Sequence, residues 1–348
     1  MKLFKLLFGG SKYKNVHDRG KGVAIIGSGS WATAVAKIIL TKEDKITWCF
    51  RRQEAIDAFR RTGRNPDYLS QVPFEVDCIH FTRDINEAVA TCHTIIFATP
   101  SPYLKPTLKD LDVSLQGKLL VFATKGIVPD ENLILTDYFE QQFHVRPSDM
   151  CVLSGPSHAE EVAMDRITYL TVACTDLRTA EKICQRLESD VIRLTASNDV
   201  RGIELAGVLK NIYSVAAGVC HGLGYGDNFQ AVLMSTAARE MQRVLAAANA
   251  VPRNVCDNVY LGDLLVTGYS NFSRNRQFGT MLAQGYSIKA AQTEMKMVAE
   301  GYFGAACMTK LNETLRVPTP IVDTVYNILY RKVPPREAVE RLTQLFGK

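Results

Sequence analysis

The stretch Gly27-Ser28-Gly29-Ser30-Trp31-Ala32 narrows the choice of fold more than any other part of this sequence. It follows the apolar run VAII and opens an apolar stretch from Ala32 to Leu40. The order predicts a strand, a tight turn and a helix. In such a turn the first glycine permits the bend and the second lets a pyrophosphate approach the backbone. The third position governs the packing of helix on sheet, and alanine is accepted there. Amides and dipole at the helix N-terminus then attract phosphate. Gly27 and Gly29 are therefore candidate dinucleotide-binding residues.

The pattern around this turn agrees with it. Short β-rich runs at Val23–Ile26, Ile46–Phe50, Thr94–Ala98, Leu119–Ala123, Met150–Leu153 and Ile167–Ala173 alternate with helix-length segments. That alternation predicts an α/β fold with a doubly wound, mostly parallel, Rossmann-like sheet. After about residue 197 strand-like runs stop, and helical patterns at 199–220, 228–249, 288–299 and 319–345 take over. A chain of 348 residues suits roughly two domains at about 150 residues each. The expected division is a flexible leader over 1–20, a dinucleotide-binding domain over 21–197 and an all-α substrate and catalytic domain over 198–348. A ligand cleft is expected between the two domains.

The second strand runs into Arg51-Arg52. An NAD-binding chain usually carries there an acid that bonds the ribose 2′-hydroxyl, whereas arginine suits a 2′-phosphate. NADP(H) is favoured and NAD(H) remains open.

Lys210 sits in an unusual helical setting. Ala206, Gly207, Ser214 and Ala217 flank it at helical spacing, and the charged neighbours are only Arg201 and Glu204. Small neighbours let a ligand or another backbone approach closely. Desolvation and nearby cations lower a lysine's pKa, which suits proton transfer. Four further polar islands stand at turns: Thr124-Lys125-Gly126, Ser154-Gly155-Pro156-Ser157, Asp263, and Ser273-Arg274-Asn275-Arg276. The first two follow apolar runs, at the strand ends where doubly wound folds bind ligands. Together these islands bring cations and amides suited to a small phosphorylated anion.

Composition excludes several classes. With 47% hydrophobic and 22% charged residues the chain is globular rather than disordered. Its net charge of +5 is spread along the sequence, unlike the concentrated basic face of a nucleic-acid binder. Nine cysteines form no CxxC pair. They predict free buried thiols in a reducing cytoplasm, with no disulfide framework and no metal site. No apolar run approaches the roughly 20 residues of a membrane span. The opening MKLFKLLFGG is too short for a signal peptide, leaving a frayed leader or a weak interfacial anchor.

Nine ordered blocks then resemble the NAD(P)-dependent glycerol-3-phosphate dehydrogenase family in its bacterial biosynthetic form. They are GSGSWATAVA (27–36), ATP (98–100), TKGI (124–127), LSGPSHAEE (153–161), LKNIYSVAAG (209–218), HGLGYGDN (221–228), GDLLVT (262–267), SRNRQFG (273–279) and VAEGY (298–302). The resemblance runs from about residue 21 to 345. It implies reversible reduction of dihydroxyacetone phosphate to sn-glycerol 3-phosphate for phospholipid synthesis. By the same resemblance Lys210 is the proton donor and acceptor, with Asp263 and Lys125 orienting the reacting end. Gly155, Ser157, Ser273, Arg274 and Asn275 surround the substrate, its phosphate near Arg274 and Asn275. Ser30, Trp31, Arg51, Arg52, Ala159, Val298 and Glu300 lie on the cofactor side, joined by Lys125 and Arg274. Asn211 and Thr267 support the site, and a homodimer is the association a helical second domain of this kind often makes.

The chain departs from the family pattern at Ala32, at His158 where phenylalanine is commoner, and in VYLGDL before the aspartate. Two rival readings remain at this stage. A ketopantoate-type reductase should lack the combined TKG, SGPS and SRN blocks, and a non-catalytic NAD(P) sensor should lose the lysine or the Arg-Asn pair.

Overall fold

The computed structural model describes residues 22–295 and 298–346, so the predicted leader lies outside the described residues. Ten strands are present among the described residues: β1 (Val23–Ile26), β2 (Ile46–Cys49), β3 (Ile79–Thr82), β4 (Thr94–Phe97), β5 (Leu119–Phe122), β6 (Ile127–Val128), β7 (Leu133–Ile134), β8 (Met150–Ser154), β9 (Thr168–Cys174) and β10 (Ile192–Ser197). Eight form one sheet in the order β10-β9-β8-β5-β4-β1-β2-β3, and β6 and β7 make a separate antiparallel pair. All neighbours from β3 across to β8 are parallel, while β8 meets β9 antiparallel. The order reverses on either side of β1, and a crevice for ligands opens at such a switch point beyond the strand carboxyl ends.

The buried runs are continuous and apolar in β1, β2 and β4 because helices cover both sheet faces. Under the β1–β2–β3 edge lies an aromatic cluster. Trp48 is fully buried, its ring centroid 5.1 Å from Phe50, 5.5 Å from Phe59 and 5.7 Å from Phe74.

Beyond β10 the chain is helical. The central helix Val200–Gly222 is buried without a break from Gly202 to Cys220. Sequence reading found no run long enough to span a bilayer, yet this helix is that long and apolar. Its apolar window is wholly buried within the protein, so here the apolarity serves packing. Helix Arg274–Ala283 lies closely against it, since a Cβ on Gly279 would come 2.1 Å from the Val215 carbonyl oxygen. That approach brings Ser273, Arg274 and Asn275 beside Lys210's helix.

Several sequence expectations need correction. Strands β3 and β10 were not expected. The helix expected over 288–299 is described over Ile288–Met295 and does not include residues 298–299, and a separate helix, Glu300–Leu315, follows. The stretch 319–345 is two helices, Pro320–Tyr330 and Pro335–Thr343, parted by Pro334 and by Lys332 with φ of 57°. Seven of the nine cysteines are buried, and all nine are free thiols.

Candidate active site

The turn after β1 is held in shape by neutral groups. Gly27 takes φ of +118°, and the Trp48 indole donates to its carbonyl at 2.7 Å. The Asn65 amide donates to the Ser28 carbonyl at 3.0 Å and to Thr33 Oγ1 at 2.8 Å. Asn65 is only 1% exposed and its oxygen accepts the Asp67 and Tyr68 amides, so it ties a distant loop to the turn. Helix Ser30–Leu40 begins with no side-chain cap, and no atom lies within 4 Å of where a Gly29 Cβ would stand. Uncapped amides beside open space are what a pyrophosphate requires. Trp31 adds a buried indole N–H with no partner. These features fit a dinucleotide.

A cleft of about 210 Å³ opens from this turn toward the central helix. Ser30, Trp31, Ala159, Val298 and Glu300, expected on the cofactor side, line it. Lys125, Ser157, Lys210, Asp263, Ser273, Arg274 and Asn275 also line it, with Asn211 and Thr267. Gly155 stands just behind, at φ of +122°, where a Cβ would meet the Tyr169 carbonyl oxygen at 2.9 Å. Only glycine suits that backbone, and its carbonyl accepts from Lys125 Nζ at 2.6 Å. Arg51 and Arg52 are exposed strand-end residues outside the lining, and Arg52 is paired with Asp67.

At the cleft floor two ammonium groups share one carboxylate. Lys210 Nζ lies 2.5 Å from Asp263 Oδ1, and Lys125 Nζ lies 3.1 Å from Asp263 Oδ2. Thr267 Oγ1 stands 3.0 Å from Lys210 Nζ and donates to the Asp263 carbonyl at 2.6 Å, fixing its own lone pairs toward the ammonium. Lys125 also donates to Ser157 Oγ at 3.2 Å, and its Nζ lies 5.8 Å from the centre of the Trp31 ring. Asp263 begins helix Asp263–Tyr269 directly after a π-turn over Asn258–Gly262, a distortion frequent at functional sites.

Burial drives the electrostatics of this group. It pulls the Lys210 ammonium down to about 7 from 10.5, helped by repulsion from Lys125 and opposed by Asp263. Burial alone would raise the Asp263 carboxyl, but the two lysines outweigh it and hold it below its ordinary value. Lys210 is therefore poised to gain or lose a proton near neutrality while Asp263 stays charged.

The far wall is built for an anion. Ser273 caps helix Arg274–Ala283 by accepting from the Arg276 amide, and its hydroxyl meets Ser214 Oγ at 2.7 Å. The N-terminal residues of this helix, Arg274 and Asn275, line the cleft with Ser273. Arg274 donates to Ser30 Oγ at 2.6 Å, and the charge of Glu160, which also lines the cleft, acts on it. Burial disfavours this guanidinium's charge more than Glu160 supports it, so a further anion beside it is favourable. Asn275 plays a different part: its oxygen accepts the Gly301 amide at 2.9 Å and its nitrogen donates to Asn211 Oδ1 at 3.0 Å. Asn211 in turn donates to the Lys125 carbonyl at 2.9 Å. Glu300 receives the amide and hydroxyl of Ser101, and burial pushes its carboxyl up to about 7. His158 points its ring toward Phe272, 5.8 Å away, and burial lowers its pKa.

Sequence reading missed Asn65, Trp48 and Ser101 as site supports. Nothing local in the sequence marks that Asn65 binds the turn after β1.

Comparison with known proteins agrees with this site. Residues 22–180 match the family model described as the NAD-dependent glycerol-3-phosphate dehydrogenase N-terminus, and residues 199–340 match that of the C-terminus. The glycerol-3-phosphate dehydrogenase [NAD(P)+] of Prosthecochloris aestuarii is 34% identical, with 91% of this chain and 96% of that one covered. The protein of the same name from Listeria innocua is 34% identical over 92% of this chain and 96% of its own length. The crystal structure of glycerol-3-phosphate dehydrogenase from Coxiella burnetii superposes with a TM-score of 0.85 at 28% identity, covering 93% of this chain and 98% of that one. With both halves matched in order over nearly all of its length, this chain belongs to the NAD-dependent glycerol-3-phosphate dehydrogenase family.

Proposed function

We propose that the chain interconverts dihydroxyacetone phosphate and sn-glycerol 3-phosphate with a nicotinamide dinucleotide, and that Lys210 moves the proton. The observation that carries this reading is the buried Lys210 ammonium, bonded to Asp263 at 2.5 Å on the floor of a cleft that begins at the phosphate turn. The cofactor, when bound, supplies or accepts the hydride at the carbonyl carbon. In reduction Lys210 gives its proton to the carbonyl oxygen as charge develops there. In oxidation the neutral amine takes the hydroxyl proton. The Lys125 side chain, held against Asp263, favours the alkoxide developing on the same oxygen, an electrostatic contribution additional to proton transfer. Asp263 holds both lysines in place.

The substrate phosphate goes to Arg274 at the N-terminus of its helix, because the Asn275 side chain is already engaged. Binding there fixes the reacting carbon from a distance. Gly155 and Ser157 complete the substrate wall through Lys125. Asn275 acts by holding Asn211 and the Gly301 turn. On the cofactor side Gly27, Gly29 and Ser30 take the pyrophosphate. Trp31, Ala159, Val298 and Glu300 border the nicotinamide end, and Arg51 supports NADPH over NADH. The chain divides near residue 197 into a cofactor-binding and a helical catalytic domain. A cytoplasmic homodimer supplying glycerol phosphate for phospholipid synthesis completes the reading.

The test follows absorbance loss of NADPH, and separately NADH, with dihydroxyacetone phosphate. Turnover faster with NADPH supports the reading in full. Turnover with neither cofactor sinks it.

A further inference from the structure

The exposed edge of the sheet carries a cation that no part of this reading uses. β2 and β3 run parallel, with Cys49 opposite Thr82 and the Phe50 amide donating to the Thr82 carbonyl at 2.9 Å. The residues just past each strand are Arg51 and Arg83. Arg83 turns back along this edge, and its Nε donates to the Arg51 carbonyl at 3.3 Å. Both side chains are exposed. The acids of the same edge are already engaged. Asp67 pairs with Arg52, Asp84 caps the Asn86 amide, and Glu87 takes the Thr82 hydroxyl and His80. Two exposed arginines at neighbouring strand ends, with the Arg83 side chain laid against the Arg51 backbone, offer a doubly charged anion two cations. This site lies at the carboxyl end of the second strand, where the ribose of a bound dinucleotide is read.

We propose that Arg83 is a specificity-determining residue that forms, with Arg51, a two-arginine fork for the 2′-phosphate of NADP(H). The Nε–carbonyl bond orients the Arg83 plane and leaves both terminal nitrogens for phosphate oxygens. Arg52 is held aside by Asp67 and takes no part in the fork. The inference rests on the NADPH reading above and assigns the discrimination to a strand end absent from the glycine-turn signature.

Calorimetric titration of the full chain with 2′,5′-ADP and with 5′-AMP tests it without any turnover. These probes differ only in the 2′-phosphate. The native protein is expected to bind 2′,5′-ADP more tightly by roughly tenfold to hundredfold, the range of a charge-assisted contact. Arg83→Gln keeps an N–H for the Arg51 carbonyl but loses the charge. It should cut that preference by about tenfold while leaving 5′-AMP affinity unchanged. Arg61→Gln, an exposed charge on the neighbouring helix Gln53–Thr62, should leave the preference intact. A native protein that prefers 2′,5′-ADP while Arg83→Gln prefers it equally overturns the role of Arg83 alone. A native protein with no preference overturns the NADPH reading and the fork with it. An equal loss in Arg61→Gln assigns the effect to overall charge and also overturns the fork.

Discussion

The two walls of the cleft solve the problem of holding a charged ligand in opposite ways. The phosphate turn uses neutral groups: the Trp48 indole on Gly27, the Asn65 amide on Ser28, and the Thr99 hydroxyl on the Ile26 carbonyl at 3.2 Å. The floor uses two ammonium groups and a carboxylate withdrawn from water. Neutral hydrogen bonds shape a backbone and keep that shape across pH. A buried charge cluster is poised because its members titrate against one another. Binding and chemistry are therefore separable in this molecule: damage to the turn should appear in KM for the cofactor, and damage to the cluster in kcat.

The largest effect should come from Lys210→Ala. Loss of a positioned acid costs about 10²–10⁴-fold in rate, with cofactor affinity nearly unchanged because the turn is untouched. Steady-state kinetics with a separate measurement of NADPH binding by fluorescence would check both halves. A variant that loses cofactor binding as strongly as turnover would break the separation. Lys125 does not replace the missing group, since it donates to Gly155, Ser157 and Asp263 from another direction.

The second effect is a pH dependence of opposite sign in the two directions. Lys210 has its pKa lowered to about 7. The ammonium is the working form in reduction, so kcat/KM for dihydroxyacetone phosphate should fall about tenfold per pH unit above 7. The neutral amine is the working form in oxidation, so kcat/KM for sn-glycerol 3-phosphate should rise through the same pH before levelling. Parallel profiles in the two directions would remove Lys210 as the proton carrier.

The same contrast explains what could be read from the sequence. The turn was legible because glycine spacing between a strand and a helix is a local pattern with a mechanism. Lys210 was legible because Ala206, Gly207, Ser214 and Ala217 leave it no ordinary surface. Strands β3 and β10 escaped notice, and they are the two edges of the sheet. An edge strand keeps one side in water, so IHFT and IRLTAS mix polar with apolar residues and lack the apolar runs of the centre. Helix Glu300–Leu315 was hidden by glycines at 301 and 304. Both positions press on the central helix, where a Gly301 Cβ would stand 2.6 Å from the Asn211 carbonyl oxygen. What joins Asn65 to Ser28, or Asn275 to Asn211, depends on chain crossings that no local pattern encodes.

A third and smaller effect tests the neutral side directly. Asn65→Ala removes both donors to the turn and leaves the Ser28 carbonyl and the Thr33 hydroxyl short of a partner. A buried group left unsatisfied costs about 1–3 kcal/mol. Part of that will appear as lower stability and part as a several-fold higher KM for the cofactor. The maximal rate at saturating cofactor should hold, because no atom of the lysine cluster moves. A lower kcat with unchanged KM would show that the turn and the cluster are coupled.

The smallest effect separates buried charge that serves chemistry from buried charge that serves folding. Glu240 lies far from the cleft lining, fully buried, and accepts the Ile321 and Val322 amides at the start of helix Pro320–Tyr330. Burial pushes its carboxyl up to about 7 from 4.5, against the pull of those amides and of Arg243. A carboxyl with a raised pKa holds its proton better in the folded than in the unfolded chain. Between about 4.5 and 7 the folded state therefore binds more protons, and stability falls as pH rises through that window. Glu240→Gln keeps an oxygen for the two amides and cannot ionise. Calorimetry at pH 5 and pH 8 should show the variant losing fewer degrees of Tm than the native chain, with the two kinetic pH profiles unaltered. Equal losses in Tm would mean that the cap, already carrying two helix amides, holds its charge at no cost. A shift in the kinetic profiles would instead mean that the central helix transmits its charge state to Lys210, and the separation between folding and chemistry would fail there.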